Sequence, residues 1–455
     1  MRGGGAPAGV AVAWQTFGCK ANQYDTERMR QELEARGAES VDGAEGAELV
    51  VVNTCTVTNQ ADAEARRFIR RVRRENPRAR IVVAGCSAAL QAERYAGMPG
   101  VVGVVPGHDP VEVAGAAGVT APPALVQLTD RRSLDRVDGE PVGAELLRRR
   151  EGATRGWLKV QDGCDRKCAF CATRLARGAS RSRPPEEVVR EARLLARSHP
   201  ELVITGIHIG HWGIDLEPRA TLSQLVARLL DEVPEVRFRL GSIEATEVDD
   251  LLLELLRGSG GRLAPHLHMP LQSGADPVLR RMRRWHTRAM YRSRALEIVE
   301  AMAAGGPTTA EGAPVLGLGA DIITGFPGET EEDHRATVAL VEELPYTYLH
   351  VFPFSPRDGT VAAELMKEMP VPQRVAGERS RELRELVQAR GEAYRRARAG
   401  SGAQVVLEGD GRSALTEDYL RVRVKSAVPD PGDVGRVLHD AELVMDEGEL
   451  VAVLG

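Results

Sequence analysis

The sequence lacks any apolar stretch long enough to cross a membrane. No run within its 455 residues approaches the roughly 18 apolar residues that a spanning helix needs. The amino-terminal segment MRGGGAPAGVAVAW has one arginine, no sustained apolar core and no cleavage pattern, so it is unlike a secretory signal. We therefore expect a cytoplasmic protein with no membrane partner.

The sequence also lacks an excess of positive charge. Its net charge is -5 at pH 7, which gives no bulk attraction to nucleic acid, so RNA binding has to come from local basic patches. Lysine occurs only five times, and arginines concentrate in residues 66–80, 174–183 and 280–288. Each patch could neutralise phosphates. A solvated helix face is the alternative, and a patch alone does not decide between the two.

Cysteine is scarce as well, and all six cysteines fall into two groups of three. A chain of 455 residues exceeds what one core usually organises, so two or three domains are expected. Disulfides are disfavoured in a reducing cytosol, which leaves metal ligation or catalysis as the better interpretation of the thiols. The two groups are Cys19, Cys55 and Cys86, then Cys164, Cys168 and Cys171.

The first group falls in a segment that alternates β-branched runs with helical patterns, as a parallel α/β sheet requires. Strands are predicted at VAVAWQTF, AELVVVNT, ARIVVAG and VVGVVPG. Each of the three cysteines follows one of the first three strands, and parallel strands end at one edge, so the thiols should converge. Three thiolates would leave one iron of a cubane open to another ligand. A small buried residue at a strand end is the alternative, which suits one cysteine better than three.

Two polar residues after Cys19 fit the start of a helix. In CKANQYDTERMRQELEARG, Asn22 and Asp25 have the spacing of a helix cap and its first-turn carboxylate. The helix is predicted to end at Gly37. We therefore interpret both polar side chains as capping residues.

The second group has the spacing C-x3-C-x2-C and directly follows a strand-like run at residues 157–161. Structural zinc sites need four ligands, usually in C-x2-C pairs, and no fourth ligand is in view. This spacing is the mark of radical S-adenosylmethionine enzymes, in which the amino and carboxylate groups of the cofactor chelate the fourth iron. The group therefore predicts a radical cluster.

Further strand-like runs follow at ELVITGIHIG, VRFRLGSIEA, HLHMPLQSG, LGLGADIITGF and YLHVFPFSP. With the strand before Cys164 they make six, as in the open (β/α)6 barrel typical of this superfamily, whose mouth should hold the cofactor. The glycines of Gly319–Thr330 resemble a cofactor-binding segment of radical enzymes, although turn formation also explains them. About half of polar residues at strand ends cap helices or satisfy loops instead. The candidate cofactor contacts are Thr205, Gly206, Ser242, Glu244, Gln272 and Asp321.

Almost the whole chain resembles a radical S-adenosylmethionine methylthiotransferase. The resemblance is carried by TFGCKANQYDTE, NTCTVTNQAD, AGCSA, VQDGCDRKCAFC, ARGASRSRP, HLHMPLQSG and ITGFPGETEED. Within the family, QYDT, TGIHIG and SIEATEV are most similar to the branch acting on N6-threonylcarbamoyladenosine next to the anticodon of tRNA. One departure is ATRLARG after Cys171, where family members usually carry an aliphatic pair followed by proline.

The resemblance implies two 4Fe-4S clusters, an auxiliary one on the first cysteine group and a radical one on the second, with Phe170 at the aromatic position of the radical motif. It also implies S-adenosyl-L-methionine, a low-potential electron donor of the flavodoxin or ferredoxin type, and a sulfur donor. The adenine C2–H bond is too inert for acid-base or nucleophilic side chains, which is why cofactors carry such chemistry. The alternatives are another tRNA adenosine, a protein side chain, or a non-enzymatic iron-sulfur protein that binds RNA or transfers electrons. An electron carrier, however, needs neither a cofactor barrel nor an open coordination site.

Two surfaces are candidates for RNA contact. A helix at residues 59–75 is predicted to pack its apolar stripe inward and to expose arginines, of which Arg70, Arg71 and Arg74 are the candidates. From about residue 400, short strands and turns indicate a small β-barrel that resembles the TRAM RNA-binding module; a purely structural cap is the alternative. Its candidate contacts are Tyr419, Arg421, Arg423 and Lys425.

The predicted fold class is α/β, in four segments. A parallel α/β domain at 10–112 is followed by a linker at 113–149 that contains Pro122 and Pro123. The radical barrel is predicted at 150–396, and the small β-barrel at 400–455.

Overall fold

The computed structural model describes residues 9–119, 146–409, 411–425 and 436–454. One unit holds the described residues up to Arg148 together with Ala172–Gly178, and a second holds Arg149–Cys171 and the described residues from Ala179 onward. Most of the predicted linker, with its two prolines, lies outside the described residues, as do residues 426–435 of the predicted C-terminal module. The four domain boundaries therefore stay predictions.

The first unit contains a parallel α/β sheet, which confirms the predicted class. Five strands run parallel in the order β2-β1-β3-β4-β5. Every residue of the central strand β3 is buried, as expected for a strand covered on both faces. Their bounds are β1 Ala11–Thr16, β2 Glu39–Ser40, β3 Leu49–Thr54, β4 Arg80–Gly85 and β5 Val101–Val104.

Helices cover both faces of this sheet and include one segment from later in the chain. The second helix begins after Thr58, whose hydroxyl accepts a hydrogen bond from the Ala61 N–H at 3.1 Å, and it buries Ile69 and Val72. Arg70, Arg71 and Arg74 are exposed, as the apolar stripe predicts. The helices are α1 Lys20–Ala35, α2 Asn59–Glu75, α3 Cys86–Leu90, α4 Ala92–Ala96, α5 Pro110–Ala117 and α6 Thr173–Arg177.

The second unit contains six parallel barrel strands, as predicted. They form two three-stranded sheets, β10-β9-β6 and β11-β12-β13, and a parallel bridge between Ser242 and His268 joins the two. A short hairpin, β7 Gln161–Asp162 with β8 Arg181–Ser182, flanks the loop of the second cysteine group. The barrel strands are β6 Arg155–Lys159, β9 Glu201–Thr205, β10 Arg237–Leu240, β11 His266–His268, β12 Gly317–Thr324 and β13 Tyr348–Pro353.

Eight helices of the described residues accompany the barrel strands. Two of them begin with capping boxes at Thr221 and Thr330, which satisfy the first free N–H groups of each helix. Among all described helices, none combines the length and the apolar character needed to span a membrane. The eight are α7 Pro185–Ala196, α8 Leu222–Glu232, α9 Asp250–Gly258, α10 Asp276–Arg281, α11 Arg288–Gly305, α12 Glu331–Glu343, α13 Val361–Glu368 and α14 Gln373–Ala397.

The chain ends in a closed five-stranded barrel of order β14-β15-β16-β18-β17, as predicted. Arg237 and Arg239 of β10 bind it through hydrogen bonds to four of its backbone carbonyls, at 2.8 to 3.2 Å. Both guanidinium groups also pair with the fully buried carboxylate of Glu201. The strands are β14 Gly402–Glu408, β15 Ser413–Thr416, β16 Arg421–Val424, β17 Val437–Asp446 and β18 Glu449–Val453.

Candidate active site

The first cysteine group lies at the carboxyl edge of the N-terminal sheet. Cys55 follows β3 directly, Cys86 follows β4 directly, and Cys19 lies three residues after β1. Burial, together with smaller effects of the neighbouring Cys19 and Cys86, raises the pKa of the Cys55 thiol to about 12. A buried thiol that resists ionisation becomes a stable thiolate only beside a positive centre, so a metal fits this site.

The spacing of the sulfur atoms distinguishes a cluster from a single ion. In neither cysteine group, both of which are fully described, do the three sulfur atoms all lie within 4.8 Å of one another. A tetrahedral zinc ion, with Zn–S bonds of about 2.3 Å, would hold its thiolates about 3.8 Å apart. A cubane spreads them further because each thiolate binds a different iron. As placed here, neither group holds its thiols at the spacing of one zinc ion, and a cluster at each group stays a prediction.

Two glycines let the backbone approach these sulfur atoms. Gly18, in TFGC, has φ +99, and a Cβ there would lie 2.4 Å from the Cys55 sulfur. Gly85, in AGC, has φ +98, and a Cβ there would lie 2.2 Å from Asn53 Oδ1. Any larger residue at either position would displace the groups that surround the thiols.

Asn22 and Asp25 do not cap helix α1, so that prediction is wrong. The first turn of α1 has no side-chain cap bond. Asn22 instead donates from Nδ2 to the carbonyls of Phe17 and Thr54, at 2.9 Å each, and Asp25 accepts a bond of 2.6 Å from Arg177. Both side chains are buried. Their hydrogen-bond partners lie outside helix α1, so the side chains face the thiols and not the first turn of the helix.

The second cysteine group lies on the loop between β7 and α6. The Cys171 N–H donates to the Cys168 carbonyl at 3.3 Å, which makes a tight turn, and the Ala169 N–H ties the loop to the Met282 carbonyl at 2.9 Å. Phe170 packs at the edge of an apolar cluster below the loop. The loop is therefore anchored by backbone bonds and by its aromatic residue.

Polar side chains face two sulfur atoms of this group. His208 places Nδ1 3.6 Å from the Cys164 sulfur and Nε2 2.8 Å from Glu247 Oε1. Arg284 places Nη1 3.7 Å from the Cys168 sulfur. Burial raises the pKa of Cys168 to about 11, whereas Arg284 lowers it. Hydrogen bonds of this kind orient metal-binding thiolates and adjust their electronic properties.

Three of the predicted cofactor contacts take part in backbone contacts between barrel segments. Thr205 ends β9, and its carbonyl accepts from the Val160 N–H at 2.9 Å. Gly206 passes so close to Gln161 that a Cβ would lie 2.8 Å from its carbonyl oxygen. Ser242 forms the bridge that joins the two sheets. Their contact with a cofactor stays a prediction.

The other three predicted contacts have partners among buried polar groups. Glu244 accepts a bond of 2.5 Å from Arg284. Gln272 has φ +68 and donates its N–H to the Asp321 carbonyl at 2.8 Å. Burial alone would raise the pKa of the Asp321 carboxyl, but hydrogen bonds from His268 and His350 hold it well below its usual range. These cofactor roles also stay predictions.

The glycines of Gly319–Thr330 have packing neighbours. A Cβ at Gly319 would lie 2.1 Å from the Tyr348 ring, and one at Gly325 would lie 2.4 Å from the Ala376 side chain. Close packing within the fold is therefore enough to require both glycines. An approach of this segment to adenine stays a prediction.

Sequence reasoning missed a group of buried polar atoms in the barrel. Five of the barrel atoms without a hydrogen-bond partner among the described residues belong to side chains near the second cysteine group. Arg284 lies 3.7 Å from the Cys168 sulfur, and Glu247 pairs with His208, which faces Cys164. Unsatisfied buried polar atoms are rare and call for a ligand or an ordered water, which fits a polar cofactor such as S-adenosylmethionine. The RRMRRWHT segment gave a signal, but it was interpreted as a basic patch. The atoms are Arg166 Nε, Glu247 Oε2, Arg284 Nε, Trp285 Nε1 and His286 Nε2.

The arginines predicted to bind RNA on α2 line an open groove of about 610 Å³. Phe17 and Phe68 form its apolar part, with their ring centroids 6.1 Å apart. All three arginines are exposed. The polar lining is formed by Gln15, Glu64, Arg67, Arg70, Arg71 and Arg74.

The predicted contacts in the C-terminal barrel have partners within their own unit. Tyr419 adopts φ +73 and stacks on His266 with centroids 4.2 Å apart, so its ring is only partly accessible. Arg421 is exposed and pairs with Glu408 at 2.9 Å. Arg423 and Lys425 both pair with Asp446, at 3.2 and 2.6 Å. Their role in RNA binding stays a prediction.

Comparison with known proteins matches two family models and full-length relatives. Residues 11–107 match "Uncharacterized protein family UPF0004", and residues 158–341 match the "Radical SAM superfamily". The relatives include proteins named "Threonylcarbamoyladenosine tRNA methylthiotransferase MtaB". The protein from Rickettsia prowazekii is 34% identical over 96% of each chain, and the one from Bacillus subtilis is 33% identical over 98% of this chain and 97% of its own. The protein from Aquifex aeolicus is 32% identical over 94% of this chain and all of its own.

Other relatives and solved structures are less similar. A "tRNA-2-methylthio-N(6)-dimethylallyladenosine synthase" from Ruegeria is 32% identical over 93% of this chain and 94% of its own. Among solved structures, the radical S-adenosylmethionine methyltransferase TsrM from Kitasatospora setae has a TM-score of 0.53 at 18% identity, and the match covers 79% of this chain and 78% of that one. That likeness supports the fold.

Proposed function

The chain belongs to the methylthiotransferase family of radical S-adenosylmethionine enzymes, and we propose that it adds a methylthio group to C2 of N6-threonylcarbamoyladenosine next to the anticodon of tRNA. One observation carries the proposal: this chain, which has two separate cysteine groups, is similar along nearly its full length to relatives named for this reaction. In neither group do the three sulfur atoms all lie within 4.8 Å of one another. A single-cluster radical enzyme would need only the second group.

Enzymes of this family use an iron-sulfur cluster and S-adenosylmethionine, which when bound supply the radical chemistry that an inert aromatic C–H bond requires. We assign the radical cluster to Cys164, Cys168 and Cys171. A second, auxiliary cluster is assigned to the first cysteine group, whose open iron would deliver sulfur. His208 and Arg284 then orient thiolates of the radical site.

The unpartnered barrel atoms support the assignment of S-adenosylmethionine. Two guanidinium groups contact the Trp285 ring, with Cζ of Arg166 4.0 Å and Cζ of Arg284 4.1 Å from its centroid. These cations and the indole N–H offer donors to a carboxylate, while Glu247 offers an acceptor oxygen to an ammonium group. Buried charges of both signs suit a zwitterionic amino-acid ligand.

The groove beside α2 supports RNA as the substrate. Its four arginines match the charge of phosphates, and its two phenylalanines offer stacking surfaces for unpaired bases. Single-stranded loops such as an anticodon loop are recognised by this combination. An acidic protein surface would use the arginines but would have less use for the rings.

The three segments that resemble the threonylcarbamoyladenosine branch supply residues near the cysteine sulfurs. QYDT contains Asp25, which pairs with Arg177, and TGIHIG contains His208. SIEATEV contains Glu244 and Glu247, which pair with Arg284 and His208. All three segments therefore contribute side chains to the surroundings of the two cysteine groups, and the choice of branch is supported by the names of the relatives.

The reaction also requires partners. Electrons would come from a low-potential donor of the flavodoxin or ferredoxin type, and a sulfur donor would restore the auxiliary site after each turnover. Because we propose tRNA as the substrate, we also propose that the enzyme acts in the cytoplasm.

Nucleoside mass spectrometry of tRNA from a deletion strain tests the proposal. We expect the 2-methylthio derivative of N6-threonylcarbamoyladenosine to disappear, its unmodified precursor to accumulate, and the wild-type gene to restore it. Loss of the methylthio derivative of another adenosine would move the protein to another branch. If neither nucleoside changes, the tRNA assignment is wrong. Detection of 5'-deoxyadenosine and methionine after anaerobic reduction separates an enzyme from an electron carrier.

A further inference from the structure

Arg177 follows the second cysteine group in the sequence but contacts a thiol of the first group. It lies on α6, six residues after Cys171, yet this helix belongs to the first unit. Its side chain is 1% exposed. The guanidinium group donates from Nε to the Cys86 sulfur at 3.1 Å and from Nη2 to Asn22 Oδ1 and Asp25 Oδ2 at 2.6 Å each.

The partners of Arg177 are fixed by the surrounding backbone. Asn22 uses both protons of Nδ2 on the carbonyls of Phe17 and Thr54, so its Oδ1 must face Arg177. Asp25 is buried and offers one negative charge. The partners of the guanidinium group include a charged carboxylate, a neutral amide oxygen and the sulfur, so it has little freedom to turn away from the sulfur.

The charge of Arg177 matters most when Cys86 is a thiolate. A buried guanidinium remains protonated and attracts a negative sulfur far more strongly than a neutral thiol, since burial removes the screening by water. Arg177 lowers the pKa of Cys86, which burial otherwise raises. Hydrogen bonds to cluster sulfurs raise the reduction potential, because the reduced cluster carries more negative charge.

We infer that Arg177 is a positioning residue for the auxiliary cluster: it fixes the Cys86 thiolate and raises the reduction potential of that cluster, while Asp25 opposes its charge. This inference rests on the proposed assignment of a cluster to Cys19, Cys55 and Cys86. It makes the auxiliary site depend on a segment that directly follows Cys171. A role in packing alone predicts no particular sign for a change in potential.

The test uses the full-length chain with Cys164, Cys168 and Cys171 all changed to Ala, so that only the auxiliary site can hold a cluster. In this background we compare R177Q, R177K and D25N with R174Q. Arg174 is an exposed arginine on the same helix and provides the matched control. After anaerobic reconstitution, iron per chain is determined, and the midpoint potential is measured by a redox titration followed by electron paramagnetic resonance.

We expect R177Q to shift the potential to more negative values than R174Q, and R177K to shift it less, because lysine keeps the charge but loses the forked hydrogen bonds. D25N should shift it to more positive values, because it removes a nearby negative charge. Opposite shifts in R177Q and D25N would support the inference. Equal potentials in R177Q, D25N and R174Q at full iron content would overturn it.

If R177Q fails to bind iron, the potentials of R177K and D25N still test the inference. A negative shift in R177K together with a positive shift in D25N then supports the inference, and potentials equal to that of R174Q in both overturn it. If the R174Q control itself binds no iron, the cluster assignment fails and the inference falls with it. That outcome is distinct from one in which R174Q binds iron normally and the other variants have the same potential as R174Q.

Discussion

The groove beside α2 gives the sharpest test of how this protein binds RNA. Changing Arg70, Arg71 and Arg74 together to Gln removes three positive charges without touching either cysteine group. Arg71 and Arg74 have side-chain exposures of 56% and 75%, and Arg70 has no hydrogen-bond or ion-pair partner among the described residues. The substitutions should therefore leave the fold intact.

The expected magnitude follows from the number of phosphate contacts. Each lost contact flattens the dependence of log affinity on log salt by roughly 0.7 to 0.9, so three contacts give a change of about 2.1 to 2.7. Between 50 and 200 mM salt, wild type should then lose about 20 to 40 times more affinity than the variant does. Arg71 and Arg74 share Glu75, at 3.8 and 3.4 Å, which favours the lower value.

Filter binding or fluorescence anisotropy with tRNA over a series of salt concentrations measures this slope. Arg78→Gln is the control for each single substitution at Arg70, Arg71 or Arg74, because Arg78 is exposed but does not line the groove. Cleavage of S-adenosylmethionine without tRNA should be unchanged in the triple variant. An unchanged affinity and slope would refute the reasoning and return these arginines to a solvated helix face.

Three further predictions concern the cysteine groups and the barrel. Cys168→Ala should abolish reductive cleavage of S-adenosylmethionine and lower iron content by about half, because one of two sites is lost; full iron and full cleavage would contradict the radical site. Cys55→Ala should preserve 5'-deoxyadenosine formation but block sulfur insertion, and normal methylthio product would rule out the auxiliary role. Glu201→Gln leaves buried guanidinium groups without their carboxylate, which should cost about 3 to 5 kcal/mol and lower the thermal midpoint. Glu186→Gln, at a largely exposed pair, should hardly change it.

The strands and the convergence of the first three cysteines could be predicted because both follow from local patterns. A run such as LVVVN, buried throughout, occurs only where a strand is covered on both faces. Once parallel strands are assigned, their carboxyl ends must meet at one edge. The positions of Cys55 and Cys86 directly after two neighbouring strands then follow from topology alone.

The partners of the thiols could not be predicted, because they come from distant parts of the chain. Arg177 lies 91 residues from Cys86, and Arg284 lies 116 residues from Cys168. Both arginines were counted in basic patches, since a buried arginine and an exposed one look alike in sequence. The prediction that Asn22 caps α1 was wrong. A polar residue near the start of a helix can also bond to neighbouring loops and strands, as Asn22 does with Phe17 and Thr54.

The two candidate RNA surfaces differ in how much of their charge is already neutralised. In the C-terminal barrel, Arg421 pairs with Glu408, and Arg423 and Lys425 share Asp446. Binding phosphates there would first require these exposed ion pairs to open, which costs little per pair but cancels part of the gain. On α2 the groove contains four arginines and one glutamate, so its positive charge is largely available. We therefore expect the α2 groove to supply more of the salt-dependent affinity for tRNA than the C-terminal barrel, whose exposed β-strands are better suited to contacts that depend less on charge. Arg421→Gln should accordingly change the salt slope by less than any one of the three α2 arginines does, and a larger change would reverse this order.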